Sequence, residues 1–178
     1  RYRRALRQRN ELLKSLRDGG AEYSALAPWT EQLVRCGARL ALDRRRFVAD
    51  LDAHAAALHA TIGQGEALRL TYRGELGDVG SEDEAAHALR ARLEDLGDLE
   101  VRRGTTLVGP HRDEVAVEVN GTPLRTFGSQ GQQRTAALSL KLAQACVSQD
   151  WTAEPPLLLL DDCLSELDPD RARAVLDL

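Results

Sequence analysis

Two adjacent carboxylates, Asp161 and Asp162, close the apolar run Leu157–Leu160, which Pro155-Pro156 sets off from the preceding sequence. Bounded this way, four leucines predict a strand buried on both faces, as in a parallel sheet. Burying an unpaired charge is costly, so carboxylates at its end are not packing residues. Ligands of open α/β sheets bind at the carboxyl ends of strands. An acidic pair there suits a Mg²⁺ on nucleotide phosphates, an ion that keeps waters and takes one or two carboxylates. The first would hold the ion and the second would orient or deprotonate an attacking water. A helix cap or a loop ion pair is the competing reading.

Upstream, Ser129-Gln130-Gly131-Gln132 has the S-x-x-Q form of a capping box at a helix start. The same geometry can do chemistry. Free amides at the positive end of a helix dipole bind anions, and Gly131 lets backbone approach a phosphate closely. The two readings coexist.

The order in which these pieces occur, followed by Ser165-Glu166-Leu167-Asp168, resembles the signature motif, Walker B strand and D-loop of ABC-type ATPases. Three strings are similar to the RecF family of bacterial recombination mediators more than to transporters: GPHRDE (Gly109–Glu114), GSQGQQRT (Gly128–Thr135) and LLLLDDCLSELD (Leu157–Asp168). The resemblance implies that Ser129, Gly131 and Gln132 face the γ-phosphate of ATP bound to a second subunit. It implies Asp161 for Mg²⁺, Asp162 as the catalytic carboxylate, and Ser165 and Asp168 along the dimer seam. Asp in place of the usual Glu implies slow hydrolysis. The family further implies an ATP-dependent homodimer acting in recombinational repair and at replication gaps. Its partners would be single- and double-stranded DNA at junctions and gaps, and RecO and RecR, with which it aids RecA loading. GPHRDE carries no assigned role. Neighbours in a strand alternate faces, so His111, Arg112, Asp113 and Glu114 make poor metal ligands.

The departures are as informative. There is no G-x-x-x-x-G-K-[ST], since Lys14 and Lys141 are the only lysines and neither follows a glycine. A histidine switch after the D-loop is missing too. The chain alone is therefore expected to be an inactive piece of a slow ATPase. It has no Met and begins at Arg1, which reads as part of a longer protein.

The composition, 43% hydrophobic and 29% charged over 178 residues, is that of a folded globular chain. Cys36, Cys146 and Cys163 are widely spaced, which suits buried thiols in a reducing compartment. No run approaches the roughly 20 apolar residues of a membrane span, and a soluble cytoplasmic location is expected. The net charge of −4 hides an asymmetry: residues 1–60 hold 12 Lys and Arg against 7 Asp and Glu. Arg1, Arg3, Arg4, Arg7, Arg9, Lys14 and Arg17, with Arg44, Arg45 and Arg46, could meet phosphate. A solvated helix face is the plain alternative.

The elements that must position these residues follow from periodicity and punctuation. Residues 1–17 predict a helix stopped at Asp18-Gly19-Gly20. A long second helix starts near Pro28 and ends near Gly63, with a seam of Leu33, Leu40, Phe47, Leu51 and Leu58 interrupted at Gly37 and Arg44. Leu68–Tyr72 alternates as a strand, and Ser81-Glu82-Asp83-Glu84 opens a helix to about Leu96. Thr105–Gly109 and Val115–Val119 read as strands, the latter ending at the hairpin signal Asn120-Gly121. Ser129–Val147 is helical, and Asp168-Pro169 caps a final helix.

The expected class is α/β: a partial P-loop ABC-type head with a parallel or mixed sheet over 102–178, and a helix-rich arm over 1–101. An SMC-like chromosome-structuring ATPase shares the motif order but needs long coiled-coil arms. A non-catalytic helical interaction module is the alternative from another class.

Overall fold

The computed structural model describes residues 1–159 and 169–176. The elements are α1 (Tyr2–Arg17), a 3-10 turn (Tyr23–Leu26), α2 (Ala27–Ile62), β1 (Leu68–Arg73), α3 (Glu82–Asp95) and α4 (Gly97–Arg103). After them come β2 (Glu114–Val119), β3 (Thr122–Pro123), α5 (Leu124–Phe127), α6 (Gln130–Thr152) and α7 (Pro169–Leu176). They form two compact units, one of Arg1–Arg45 with Arg73–Glu114, the other of Arg46–Tyr72 with Val115–Leu178. The division expected at 101/102 separates roles, whereas these units separate packing, and the two partitions share no boundary.

In the first unit Tyr2, Ala5, Leu33, Val34, Ala38, Leu89 and Val108 form the core. The glycine that interrupts the α2 seam is a contact point there. A Cβ on Gly37 would lie 2.8 Å from Leu89 Cδ2 and 3.1 Å from Tyr2 Cε2. A hydrogen at this position lets α2 approach α1 and α3 closely. Helix α3 starts as its sequence predicts, with Ser81 Oγ accepting from the Glu84 N–H at 3.2 Å. The Glu84 carboxylate reaches one residue further back and accepts from the Gly80 N–H at 2.8 Å.

Thr105–Gly109, expected as a strand, is irregular. Side chains take the polar groups that a ladder would have used. Asn10 Oδ1 accepts from the Thr106 N–H at 2.8 Å, and Glu100 Oε1 accepts from the Leu107 N–H at 2.7 Å. The Thr106 carbonyl accepts from His111 Nε2 at 3.2 Å. Side chains from α1 and α4 thus take the place of strand pairing.

In the second unit β1 alternates as expected, with Leu68 and Leu70 buried and Arg69 and Thr71 exposed. The sheet order is β1-β2-β3. Asn120 and Gly121 both have positive φ, at 51° and 73°, as the tight turn between antiparallel strands requires. The register is Glu118↔Pro123 and Val119↔Thr122. Asn120 also braces β1, donating its N–H to the Ala67 carbonyl and accepting from the Ala67 N–H through Oδ1. Val48, Leu51, Ala55, Leu68, Leu70, Val119, Ala136, Ala143 and Val147 make the core, and Val175 of α7 packs with Ile62 and Leu138. Trp151 meets Phe47 edge-on at 5.8 Å and donates its indole N–H to Asp50 at 3.0 Å, fastening the end of α6.

The leucine run departs from its expectation. Leu157, Leu158 and Leu159 are in no strand, and Leu157 and Leu159 are 86% and 82% exposed. An apolar run is buried on both faces only where neighbouring strands and helices cover it. The small sheet of the described residues does not extend to it. Leu160 and the expected cap Asp168 lie outside the described residues. Among the described residues, no helix is long and apolar enough to cross a membrane.

Candidate functional site

The geometry that can do chemistry is the start of α6. Ser129 Oγ accepts from the Gln132 N–H at 3.1 Å, and Gln132 Oε1 accepts from the Ser129 N–H at 3.0 Å, closing both halves of the capping box. The Ser129 hydroxyl still has its proton to donate. Ser129, Gln130 and Gly131 are exposed at the positive end of a 23-residue helix. Gly131 has no packing reason to be glycine. A Cβ there would meet only Ser129 Oγ at 3.9 Å. The bare position opens outward, where an anion can approach the backbone.

Behind the turn lies a buried polar layer. The Gln132 amide donates from Nε2 to Glu66 Oε1 at 2.7 Å. Arg171 of α7 donates to Thr135 Oγ1, and its Nη2 lies 3.8 Å from Glu66 Oε2. Thr135 Oγ1 donates in turn to the Gly131 carbonyl at 2.9 Å. Ser139 spends its proton on the Thr135 carbonyl at 2.9 Å, so His59 Nδ1, 3.1 Å away, is the donor to Ser139 Oγ. That fixes the neutral tautomer with Nε2 bare, 3.8 Å from Glu66 Oε2. Burial lowers the His59 pKa; the Glu66 charge opposes the shift and Arg171 adds to it.

The structure therefore brings Ser129, Gly131 and Gln132 together in one turn. It shows the Gln132 side chain folded inward as a brace rather than outward. Asp161, Asp162, Cys163, Ser165 and Asp168 lie outside the described residues. Glu66, Arg171, Thr135, Ser139 and His59 were not singled out from the sequence. Their one clue is a polar residue on the buried face of α6: Thr135 and Ser139 stand four apart beside Ala136 and Leu138.

In the first unit the GPHRDE segment has a structural role. Gly109 has a φ of +124°, and a Cβ there would sit 2.7 Å from Tyr2 Oη. His111 donates from Nε2 to the Thr106 carbonyl, so its Nδ1 accepts from the Tyr2 hydroxyl at 2.8 Å. Desolvation lowers the His111 pKa and burial raises that of the Tyr2 phenol, in keeping with a neutral pair. Arg44 donates to the Pro110 carbonyl. The segment seats α1 and α2.

The basic residues divide sharply. Arg9 is buried against Glu100 at 2.7 Å, so it belongs to the core and not to a phosphate surface. Lys14 pairs with Glu11, Arg17 with Asp18 and Arg45 with Asp78. Arg46 lies over the Trp151 ring at 5.6 Å. Arg1, Arg3, Arg4 and Arg7 are exposed and make no ion pair among the described residues.

No family model matches the chain. Curated relatives do. It is 44% identical over 180 residues to the DNA replication and repair protein RecF of a Synechocystis species, covering 96% of this chain and 47% of that protein. It is 40% identical over 185 residues to the protein of the same name from Roseiflexus castenholzii, covering 99% and 47%. The chain spans about half the length of the curated relatives it matches. A solved structure of the recombination mediator protein RecF with ATP, in the RecFOR pathway, superposes with a TM-score of 0.88 at 35% identity, over 99% of this chain and 48% of that one. The match supports the helix-rich chain with its small sheet as part of an ABC-type ATPase head with a helical arm. Identity and fold run together through almost every described element, and the chain belongs to the RecF family.

Proposed function

We propose that the chain is the signature-bearing part of an ATP-dependent DNA-binding protein that dimerises on ATP in recombinational repair and replication-gap processing. The observation that carries this reading is the turn at Gly131: exposed, sterically open and braced from behind at a helix N-terminus. A turn built only to start a helix would have no need of a bare, outward-facing position. The relative solved with ATP adds its own support.

In this reading the Ser129 hydroxyl and the Gly131 backbone meet the γ-phosphate held by a second subunit, while Gln132 keeps them in place. ATP with Mg²⁺ would supply the phosphoanhydride bond and the charge that the two subunits share. Asp161 would serve the Mg²⁺, Asp162 would act on the attacking water, and Ser165 and Asp168 would line the seam. Phe127, 71% exposed one residue before Gly128, belongs to the same contact surface. The parent is a slow ATPase, and this part alone lacks the lysine loop that cradles the β- and γ-phosphates. Its surroundings are cytoplasmic, its DNA is gapped or a single-strand/double-strand junction, and RecO and RecR are its partners in aiding RecA loading. Exposed Arg3, Arg4 and Arg7 supply a sequence-independent phosphate contact.

The test is an anisotropy titration of gapped DNA with the full-length parent and ATP, wild type beside Ser129→Arg. Loss of ATP-stimulated binding in the variant is expected. Binding unchanged from wild type would remove the trans role of the turn.

A further inference from the structure

We propose that Glu66 is a positioning residue for the signature turn, setting the orientation of Gln132 and linking it through Arg171 to α7. This role rests on the function proposed above and places part of its machinery in the loop between α2 and β1.

Donors and acceptors decide the orientation. A primary amide has a donor end and an acceptor end, and two partners on opposite sides of Gln132 select the same orientation: the Ser129 N–H, which only donates, and the Glu66 carboxylate. A carboxylate only accepts. Glu66 Oε1, 2.7 Å from Gln132 Nε2, therefore holds the NH₂ end inward. That leaves Gln132 Oε1 to accept the Ser129 N–H at 3.0 Å. Were the amide reversed, its carbonyl would face the carboxylate and its NH₂ would face an N–H. Glu66 thus locks the amide in the orientation that the Ser129 N–H requires and holds the side chain against the turn.

The second arm of the carboxylate reaches another element. Glu66 Oε2 lies 3.8 Å from Arg171 Nη2, and both side chains are largely buried, at 20% and 17% exposed. Arg171 also donates to Thr135 Oγ1, which bonds the Gly131 carbonyl. Glu66 thus touches the turn twice, at Gln132 directly and at Gly131 through Arg171 and Thr135. Helix α7 cannot shift relative to α6 without disturbing this layer. A motion on the α7 side would reach Ser129 and Gly131, the two groups assigned to the phosphate.

The experiment uses the full-length parent with ATP, with dimer dissociation constants measured by light scattering and the melting of the nucleotide-free protein followed in parallel. Ser129→Arg serves as the control for the underlying reading. Gln132→Glu alone sets two carboxylates against each other and should weaken the dimer by about tenfold or more. Adding Glu66→Gln restores a donor facing an acceptor, and the swapped pair should return to within about threefold of wild type. Glu66→Ala should weaken the dimer by about tenfold, and Glu66→Gln, which keeps an acceptor, by much less. The swapped pair needs no cavity, so it carries the test even if Glu66→Ala fails to fold. If Ser129→Arg abolishes dimers but the swapped pair is no better than Gln132→Glu, the positioning role is overturned and the trans reading stands. If wild type never dimerises, or Ser129→Arg dimerises normally, the reading itself fails and the role of Glu66 falls with it.

Discussion

Arg9 and Glu100 meet at 2.7 Å, with 3% and 0% of their side chains exposed, and each holds further partners. Arg9 donates also to Thr30 and Thr106, and Glu100 accepts from the Leu107 N–H. The pair joins α1, α2, α4 and the irregular segment after α4 at one buried point. Removing one partner of such a pair leaves the other charged and buried, at a cost of about 3–5 kcal/mol. Arg9→Ala is expected to lose about that much stability in urea denaturation of the full-length parent. A loss below about 1 kcal/mol would mean that the site is wetter or more adaptable than its geometry shows.

Arg3, Arg4 and Arg7 should behave in the opposite way. Changing all three to Gln is expected to leave the unfolding free energy within about 0.5 kcal/mol of wild type, as for ordinary surface changes. DNA affinity should fall, and the log–log salt slope should shrink by about 0.9 for every phosphate no longer neutralised. Equal slopes for variant and wild type would place the DNA surface elsewhere.

This contrast shows how far residue type can be read. Helices α1, α2, α3 and α6, the Asn120-Gly121 hairpin, the Ser81 cap and the capping box of α6 follow from local chemistry. Periodicity, caps and turn residues act over a few positions, so they are written in the sequence. The partner of Arg9 stands 91 residues away, and nothing near Arg9 distinguishes it from Arg7. Gly37 breaks an apolar seam on paper, yet a Cβ there would meet Leu89 and Tyr2 at 2.8 and 3.1 Å. At the site, the Ser129-Gly131-Gln132 turn was legible as a motif. Glu66, from a loop with no pattern of its own, emerged only from the fold. The strand expected at Thr105–Gly109 failed because side chains of Asn10 and Glu100 satisfy its backbone, a tertiary effect that propensity does not encode.

Gly109 combines a positive φ with a close neighbour. Gly109→Ala adds a Cβ 2.7 Å from Tyr2 Oη and forces a φ of +124° on an L-residue. The expected loss is about 1–3 kcal/mol, read as a lower melting temperature. Tyr2→Phe in the same chain removes the oxygen in the way and should recover part of that loss, though not the backbone strain. No recovery would show that the strain accounts for all of it.

Stability should fall below about neutral pH through His59. Its folded pKa lies below the ordinary value of 6.5, because the ring is buried. Well above 6.5 the ring is neutral in both folded and unfolded chains and adds no pH dependence. As pH falls through that value the unfolded chain takes up the proton first, so stability declines until the folded ring also titrates. The depressed pKa of His111 acts with the same sign. His59→Gln should therefore lose less stability than wild type between about pH 8 and about pH 5.5, by urea midpoints at the two values. Parallel losses in both proteins would assign the acid sensitivity to other groups.

As proposed, the open face of the Gly131 turn is an interface completed by ATP on a second subunit. Light scattering of the full-length parent with ATP, wild type beside Gly131→Leu and Asp162→Asn, tests it most directly. A leucine at 131 enters open space in the folded monomer, so melting should be unchanged while dimers are lost. Asp162→Asn should form dimers that persist because the nucleotide is not turned over. Gly131→Leu dimerising as wild type does, or a wild type that stays monomeric with every nucleotide, would contradict the account.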